Sequence, residues 1–312
     1  MFDRKTSAAA LTTDPPTHSS ASSVQAAAAK VLGETLTQFT DQLTALRVSN
    51  EPEVVHQARV AWRRFKSDVR LFKPALKPES MPALKSLQPL LQGLGTLRDL
   101  DVALTETLPR WRSAYLDGCP LSNAAQARNK KAWRQMSHAL QQLADEQRLS
   151  VRRELQRADV VATLLSLTEW AHGLTRVLQG VEPAKVPLRR WVRHRLSRWH
   201  ERFKKAKHAA LKDALKSASK TARCHANPER QHRARILAKR LRYGLEALGY
   251  CLPAQRSRRW RQQAAEVQTK LGDARDVLQA HALAASVAAD KNILQFLKRL
   301  ADPNADRATQ SS

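Results

Sequence analysis

The sequence predicts an all-α protein, and three observations carry that prediction. Only nine of 312 residues are glycine, while Ala, Leu, Gln, Arg and Lys are abundant, and these are side chains that lose little on entering a helix. Runs rich in Val, Ile, Thr or aromatic residues are few, and none makes a convincing strand. Apolar residues instead recur at intervals of three and four, as in Leu32, Leu36, Phe39, Leu43 and Leu46, the spacing that puts one stripe on a helix.

That stripe defines a first helix over about 24–47. Ser49-Asn50-Glu51-Pro52 breaks it, and a second helix is expected over 53–72, ended by Pro74 and Pro78. Two more are expected over 82–92 and 97–110, separated at Gly93-Leu94-Gly95. The middle section, 121–178, reads as two spacer helices. Gly180, Pro183 and Pro187 mark a boundary, after which the pattern restarts with helices over 188–217, 229–250, 253–271 and 274–289. The expected organisation is an N-terminal disordered arm over 1–23, a first helical half with spacers over 24–180, a second half over 188–300, and a frayed tail over 302–312. Four helices, a spacer and four helices suggest two four-helix bundles produced by internal duplication and related by a pseudo-twofold axis.

A repeat supports the duplication. His56-Gln-Ala-Arg59-Val-Ala-Trp62-Arg63-Arg64-Phe65-Lys66 reads against His232-Arg-Ala-Arg235-Ile-Leu-Ala-Lys239-Arg240-Leu-Arg242. A second pair, Leu94-Gly95-Thr-Leu-Arg98-Asp99 and Leu271-Gly272-Asp-Ala-Arg275-Asp276, follows at nearly the same offset. On a helical wheel, Arg59, Arg63, Lys66 and Arg70 fall within about 80° on one side of His56. Ala58, Trp62, Phe65, Val69 and Phe72 take the opposite arc. His232, Arg235, Lys239 and Arg242 form the same face on the second helix, backed by Leu237, Leu241, Leu245 and Leu248. Arg64 and Arg240 fall toward the flank. The helix over 188–217 buries Leu188, Val192, Leu196, Trp199, Phe203 and Ala210, and carries His194, Arg198, Arg202 and Lys205 on its other side, with Arg195 at the edge.

The charge balance says what such strips are for. Lys plus Arg number 54 against 28 Asp plus Glu, a formal charge of +26 and a pI near 10.9. So large an excess repels itself and calls for a polyanionic partner: nucleic acid, an anionic membrane surface or a phosphate polymer. No apolar run approaches the length of a membrane span. The cysteines, Cys119, Cys224 and Cys251, are odd in number and in no CxxC spacing, which argues against a disulfide framework or zinc site and fits a reducing cytoplasm. Residues 1–23 lack the apolar core of a secretory signal. The seven tryptophans fall mostly in apolar stripes and read as core.

Arginine forks onto phosphate oxygens, lysine adds point charge, and histidine titrates near neutrality. An aspartate in a helix's first turn, as at Asp99 and Asp276, complements the helix dipole. Two other functions compete. Non-specific RNA or DNA binding fits the net charge, but aromatic residues are only 5 % and no RRM, KH or zinc-finger signature is present. A metal-dependent phosphohydrolase would pair His56 with Asp99 and His232 with Asp276, yet those histidines sit among cations that repel a divalent ion. No metal site, catalytic residue or cofactor is expected.

The paired His-x-x-Arg-x-x-x-basic-basic-x-basic helices and the glycine-Arg-Asp segments after them resemble the CHAD family, the conserved histidine α-helical domain, over about 24–300. Trp62 and Phe65 depart from it, standing where smaller or aliphatic residues are usual. The resemblance implies two four-helix bundles around a basic central pore or groove. It also implies binding of inorganic polyphosphate and association with polyphosphate granules, without catalysis. Like any phosphate-binding surface, this one is expected to bind nucleic acid weakly and without sequence preference. The implied binding residues are His56, Arg59, Arg63, Lys66, Arg70, His232, Arg235, Lys239 and Arg242, to which the charged face of the 188–217 helix adds Arg195, Arg198 and Arg202. Oligomeric state and preferred polymer length are not legible.

Overall fold

The computed structural model describes residues 23–76, 81–117, 122–177, 187–218, 228–270 and 273–301, with backbone alone at 175–177, 212–218, 228, 270 and 273–275. The N-terminal arm before residue 23, most of the loop expected over 221–228, the boundary over 180–186, Cys119, Cys224, Gly272, the Arg275 side chain and the tail from 302 lie outside the described residues. Within them every regular element is helical. In chain order these are α1 (Val24–Leu46), α2 (Pro52–Phe72), α3 (Gln88–Val102), α4 (Leu108–Asp117), α5 (Asn123–Glu154), α6 (Ala158–Val177), α7 (Leu188–Ala218), α8 (Pro228–Leu248), α9 (Ala254–Lys270), α10 (Asp273–Ser286) and α11 (Lys291–Ala301).

Local chemistry starts these helices where expected. Ser23 Oγ accepts from the Ala26 N–H at 3.0 Å and caps α1, and Ser122 does the same for α5. Pro52 and Pro228 sit in the first turns of α2 and α8, where the missing N–H costs nothing. The predicted stripes are buried: Leu32, Leu36, Phe39, Leu43 and Leu46 on α1, and Leu188, Val192, Leu196, Trp199, Phe203 and Ala210 on α7. Trp62 lies between Phe39 and Phe65, with ring centroids 4.9 and 5.5 Å away. Five of the seven tryptophans are buried, while Trp111 and Trp191 are half-buried.

Three differences from the sequence reading have physical causes. Gly93 and Gly95 do not break a helix; α3 runs through both. Each glycine costs about 1 kcal/mol relative to alanine, but Leu90, Leu94, Leu97 and Leu100 of α3 are all fully buried, which outweighs it. The glycines instead permit close approach: a Cβ at Gly93 would meet Val151 at 3.1 Å. After α3 the chain widens into a π turn, Ala103–Thr107, before α4. Finally, α11 is an additional helix, anchored by the buried Ile293 and Leu297 with Leu294, Phe296 and Leu300 packed beside them.

Packing does not follow chain order. The α1/α2 and α7/α8 hairpins are the tightest pairs, and α2 meets α8. The spacer α6 lies on α1, whereas α10, from the second half of the sequence, packs on α3, the π turn, α5 and α11. Buried residues from α1 to α11 belong to one hydrophobic core. That core holds the two histidine helices against each other.

Candidate functional site

Helices α2 and α8 run antiparallel, because rising numbers on one meet falling numbers on the other. Arg64 Nε lies 3.2 Å from Glu246 Oε2, Ser67 Oγ donates to the Arg240 carbonyl at 3.4 Å, and Arg70 shares a cleft with Ile236 and Lys239. This crossing opens a cleft of about 590 Å³ between the helices. Its walls carry Arg63, Lys66, Arg70 and Lys73 from α2 and its C-terminal end, and Lys239 and Arg240 from α8. No described acidic residue lines it. Ile236 and Arg240 also line an adjoining cleft between α7 and α8, together with Arg202, Lys205, Arg230, His232 and Arg233 and, among the described residues, one acid, Glu229.

Crowding like charges leaves a signature in their acidity. The Lys66 ammonium falls below the ordinary lysine range, first through partial burial and then through Arg63, Arg70 and Arg59. It also lies over the Trp62 ring, 5.8 Å from its centroid. Burial, then Arg70 and Arg202, lower the Arg240 guanidinium in the same way. An anion seated here would relieve that repulsion and restore both groups.

Six of the twelve sequence-predicted residues line these clefts: Arg63, Lys66, Arg70 and Lys239 in the first, His232 and Arg202 in the second. The others stand elsewhere. His56 and Arg59 face α3, bringing the two sequence motifs of the first half together. Gly95 leaves room for the Arg59 guanidinium, whose Nη1 would be 2.9 Å from a Cβ there. Asp99 stabilises the Arg59 charge, against burial and Arg63, which lower its pKa. The His56 imidazole is pushed below its usual value, mainly by burial and next by Arg98. Arg98 is itself paired with Glu106 of the π turn at 2.9 Å.

Arg195 is committed to the backbone. It donates to the Leu71 and Arg70 carbonyls at 3.1 and 3.0 Å, satisfying the open end of α2. Arg198 is exposed beside it on α7, Arg235 is half-buried on α8, and Arg242 lies against Glu246, 3.3 Å away.

The sequence reading missed Lys73 and set Arg240 aside. Lys73 continues the three- and four-residue spacing of Arg63, Lys66 and Arg70, a signal masked by the expected helix end. Arg240 is on the flank of α8, and that flank is the one turned toward α2.

The family model for the CHAD domain matches residues 30–285. The chain belongs to the CHAD domain family. Its fold is that of a solved relative too: the crystal structure of the CHAD domain from the plant Ricinus communis superposes with a TM-score of 0.68, covering 93 % of this chain and 89 % of that one at 21 % identity. A search of curated proteins finds no match. In this CHAD domain the matched region spans α1 to α10 and so includes both histidine helices and both clefts. Among its described residues, no helix is long and apolar enough to cross a membrane.

Proposed function

We propose that this CHAD domain binds inorganic polyphosphate along the α2/α8 cleft, without catalysis, and through that affinity associates with polyphosphate granules. One observation carries the reading: six cationic side chains of α2, its C-terminal end and α8 line a single cleft, on a floor of apolar residues such as Leu76, Met81 and Trp170, and no described acid lines it. A flexible chain with a charge on every phosphate can follow such a cleft and continue past Arg240 toward Arg202 and His232. A nucleic-acid duplex is too broad to enter and would meet only the rim. The arginines offer forked donors to phosphate oxygens, and binding relieves repulsion that the free protein tolerates.

The test is a competition titration at physiological salt, with labelled long-chain polyphosphate against unlabelled RNA, on the native protein and on the Lys66→Glu, Arg70→Glu double variant. The native protein should prefer polyphosphate strongly, and the variant should lose at least tenfold in affinity while keeping its helicity and melting behaviour. RNA competing equally per charge would make the surface a general polyanion binder. Undiminished binding by the variant would remove the cleft from the site.

A further inference from the structure

We infer that the Arg64–Arg242 end of the α2/α8 crossing is a phosphate subsite kept closed by Glu246, which thereby limits how much of a polyanion the protein can grip; this rests on the polyphosphate reading above. The two guanidinium groups come from different helices and converge on one carboxylate. Arg64 Nε lies 3.2 Å from Oε2 and Arg242 Nε 3.3 Å from Oε1. Arg64 donates a hydrogen bond to Glu246, whereas the Arg242 Nε, though close, has no hydrogen-bond partner. Arginine binds carboxylate and phosphate alike, and a phosphoryl group in the place of Glu246 would offer an oxygen to both helices. Arg242 is further steadied over the Tyr243 ring, 5.1 Å from its centroid.

Comparison of the two ends of the crossing singles out Glu246. Counted from their histidines, Arg64 and Arg240 are equivalent positions, as are Arg70 and Glu246. At one end Arg240 has Arg70 near enough to lower its pKa, and the cleft is open. At the other, Arg64 and Arg242 both meet Glu246, which offsets one of their two charges. One side-chain type thus separates an open cationic surface from one partly neutralised by a carboxylate. Asp68 lies near that end, but its buried carboxyl is pushed up to about 8 and is protonated at neutral pH, so Glu246 supplies the neutralising charge. All three side chains are 34–37 % exposed, which keeps the pairing weak and open to exchange with solvent anions.

The experiment measures long-chain polyphosphate affinity over a salt series for the native protein, Glu246→Ala, the control Glu146→Ala on the exposed face of α5, and Glu246→Ala combined with Arg64→Ala. Opening the subsite should steepen the slope of log affinity against log salt by about 0.7–1.4, one or two further phosphates at roughly 0.7 each for a flexible strand. The control should not reproduce that change, and removing Arg64 should reverse it. A response equal to that of Glu146→Ala, or a gain that survives loss of Arg64, overturns the inference as a long-range charge effect. Failure of the underlying reading looks different: the native protein would bind polyphosphate no better than RNA, or the Lys66→Glu, Arg70→Glu variant would bind undiminished.

Discussion

Gly95 lies under the guanidinium group of Arg59, so that a Cβ at position 95 would sit 2.9 Å from Nη1. The histidine helix and the glycine-Arg-Asp segment, far apart in the repeat's own sequence, are therefore one packing unit. The glycine makes space for a charge rather than a turn. Burial there opposes the Arg59 charge while Asp99 supports it, and its Nε has no hydrogen-bond partner.

This contact predicts opposite outcomes at two helical glycines. At Gly95 the obstructing atom is the tip of a flexible side chain. Gly95→Ala should change stability by less than about 1 kcal/mol, because the helical preference of alanine offsets the displacement of Arg59. At Gly244 a Cβ would meet Leu196 Cδ2 at 3.0 Å and Trp199 Cζ3 at 3.1 Å, both inside the α7/α8 core. Gly244→Ala should therefore cost about 1–3 kcal/mol through overpacking. Urea denaturation of both variants measures the difference, and equal effects would contradict the packing described.

Asp68 predicts how stability changes with pH. Its carboxyl is 1 % exposed, Oδ1 lacks a hydrogen-bond partner, and burial pushes its pKa up to about 8, with Glu246 adding and Arg64 opposing. The unfolded chain releases this proton near pH 4. Between about pH 4 and pH 8 the folded protein holds a proton that the unfolded chain has lost. Stability from this group is thus fully present at low pH and falls as pH rises toward 8, by up to about 1.4 kcal/mol per unit. Asp68→Asn cannot ionise, so its stability relative to the native protein should grow across that interval. Thermal melts at pH 5 to 9 test this, and a constant difference would show that Asp68 ionises normally.

A buried ion pair joins α3 to α5. Arg148 Nη2 donates to Asp101 Oδ1 at 3.2 Å, and the two residues are only 7 % and 3 % exposed. Burial raises the Asp101 pKa, with Arg148 acting against it, so the pair is costly to desolvate. Asp101→Ala leaves the guanidinium uncompensated and should destabilise by about 3–5 kcal/mol. Replacing both, Asp101→Leu with Arg148→Met, should recover most of that loss in chemical denaturation. A double variant as unstable as the single one would assign the cost to packing instead.

Much of this molecule is legible in its spacing. The stripes of α1, α2 and α7 could be read because a helix places residues three and four apart on one face whatever surrounds it. The duplicated register of cations on α2 and α8 could be read for the same reason. The helix break at Gly93–Gly95 was misread because local propensity was outweighed by the burial of four leucines. The short α11 was legible too, since Ile293, Leu294, Phe296, Leu297 and Leu300 recur at helical spacing, but it lies beyond the four helices that the repeat suggested for the second half.

The partners of each charge were decided elsewhere. The sequence by itself determined an all-helical chain with two basic helix faces in matching register and a large excess of positive charge. Only the tertiary structure decided that α2 and α8 cross antiparallel, that Arg70 and Arg240 share an open cleft, and that Arg64 of α2 meets Glu246 of α8. Periodicity is a property of neighbours along the chain, whereas electrostatic interaction acts through space. Which cations meet therefore depends on the crossing that the shared apolar core imposes on residues more than 170 positions apart.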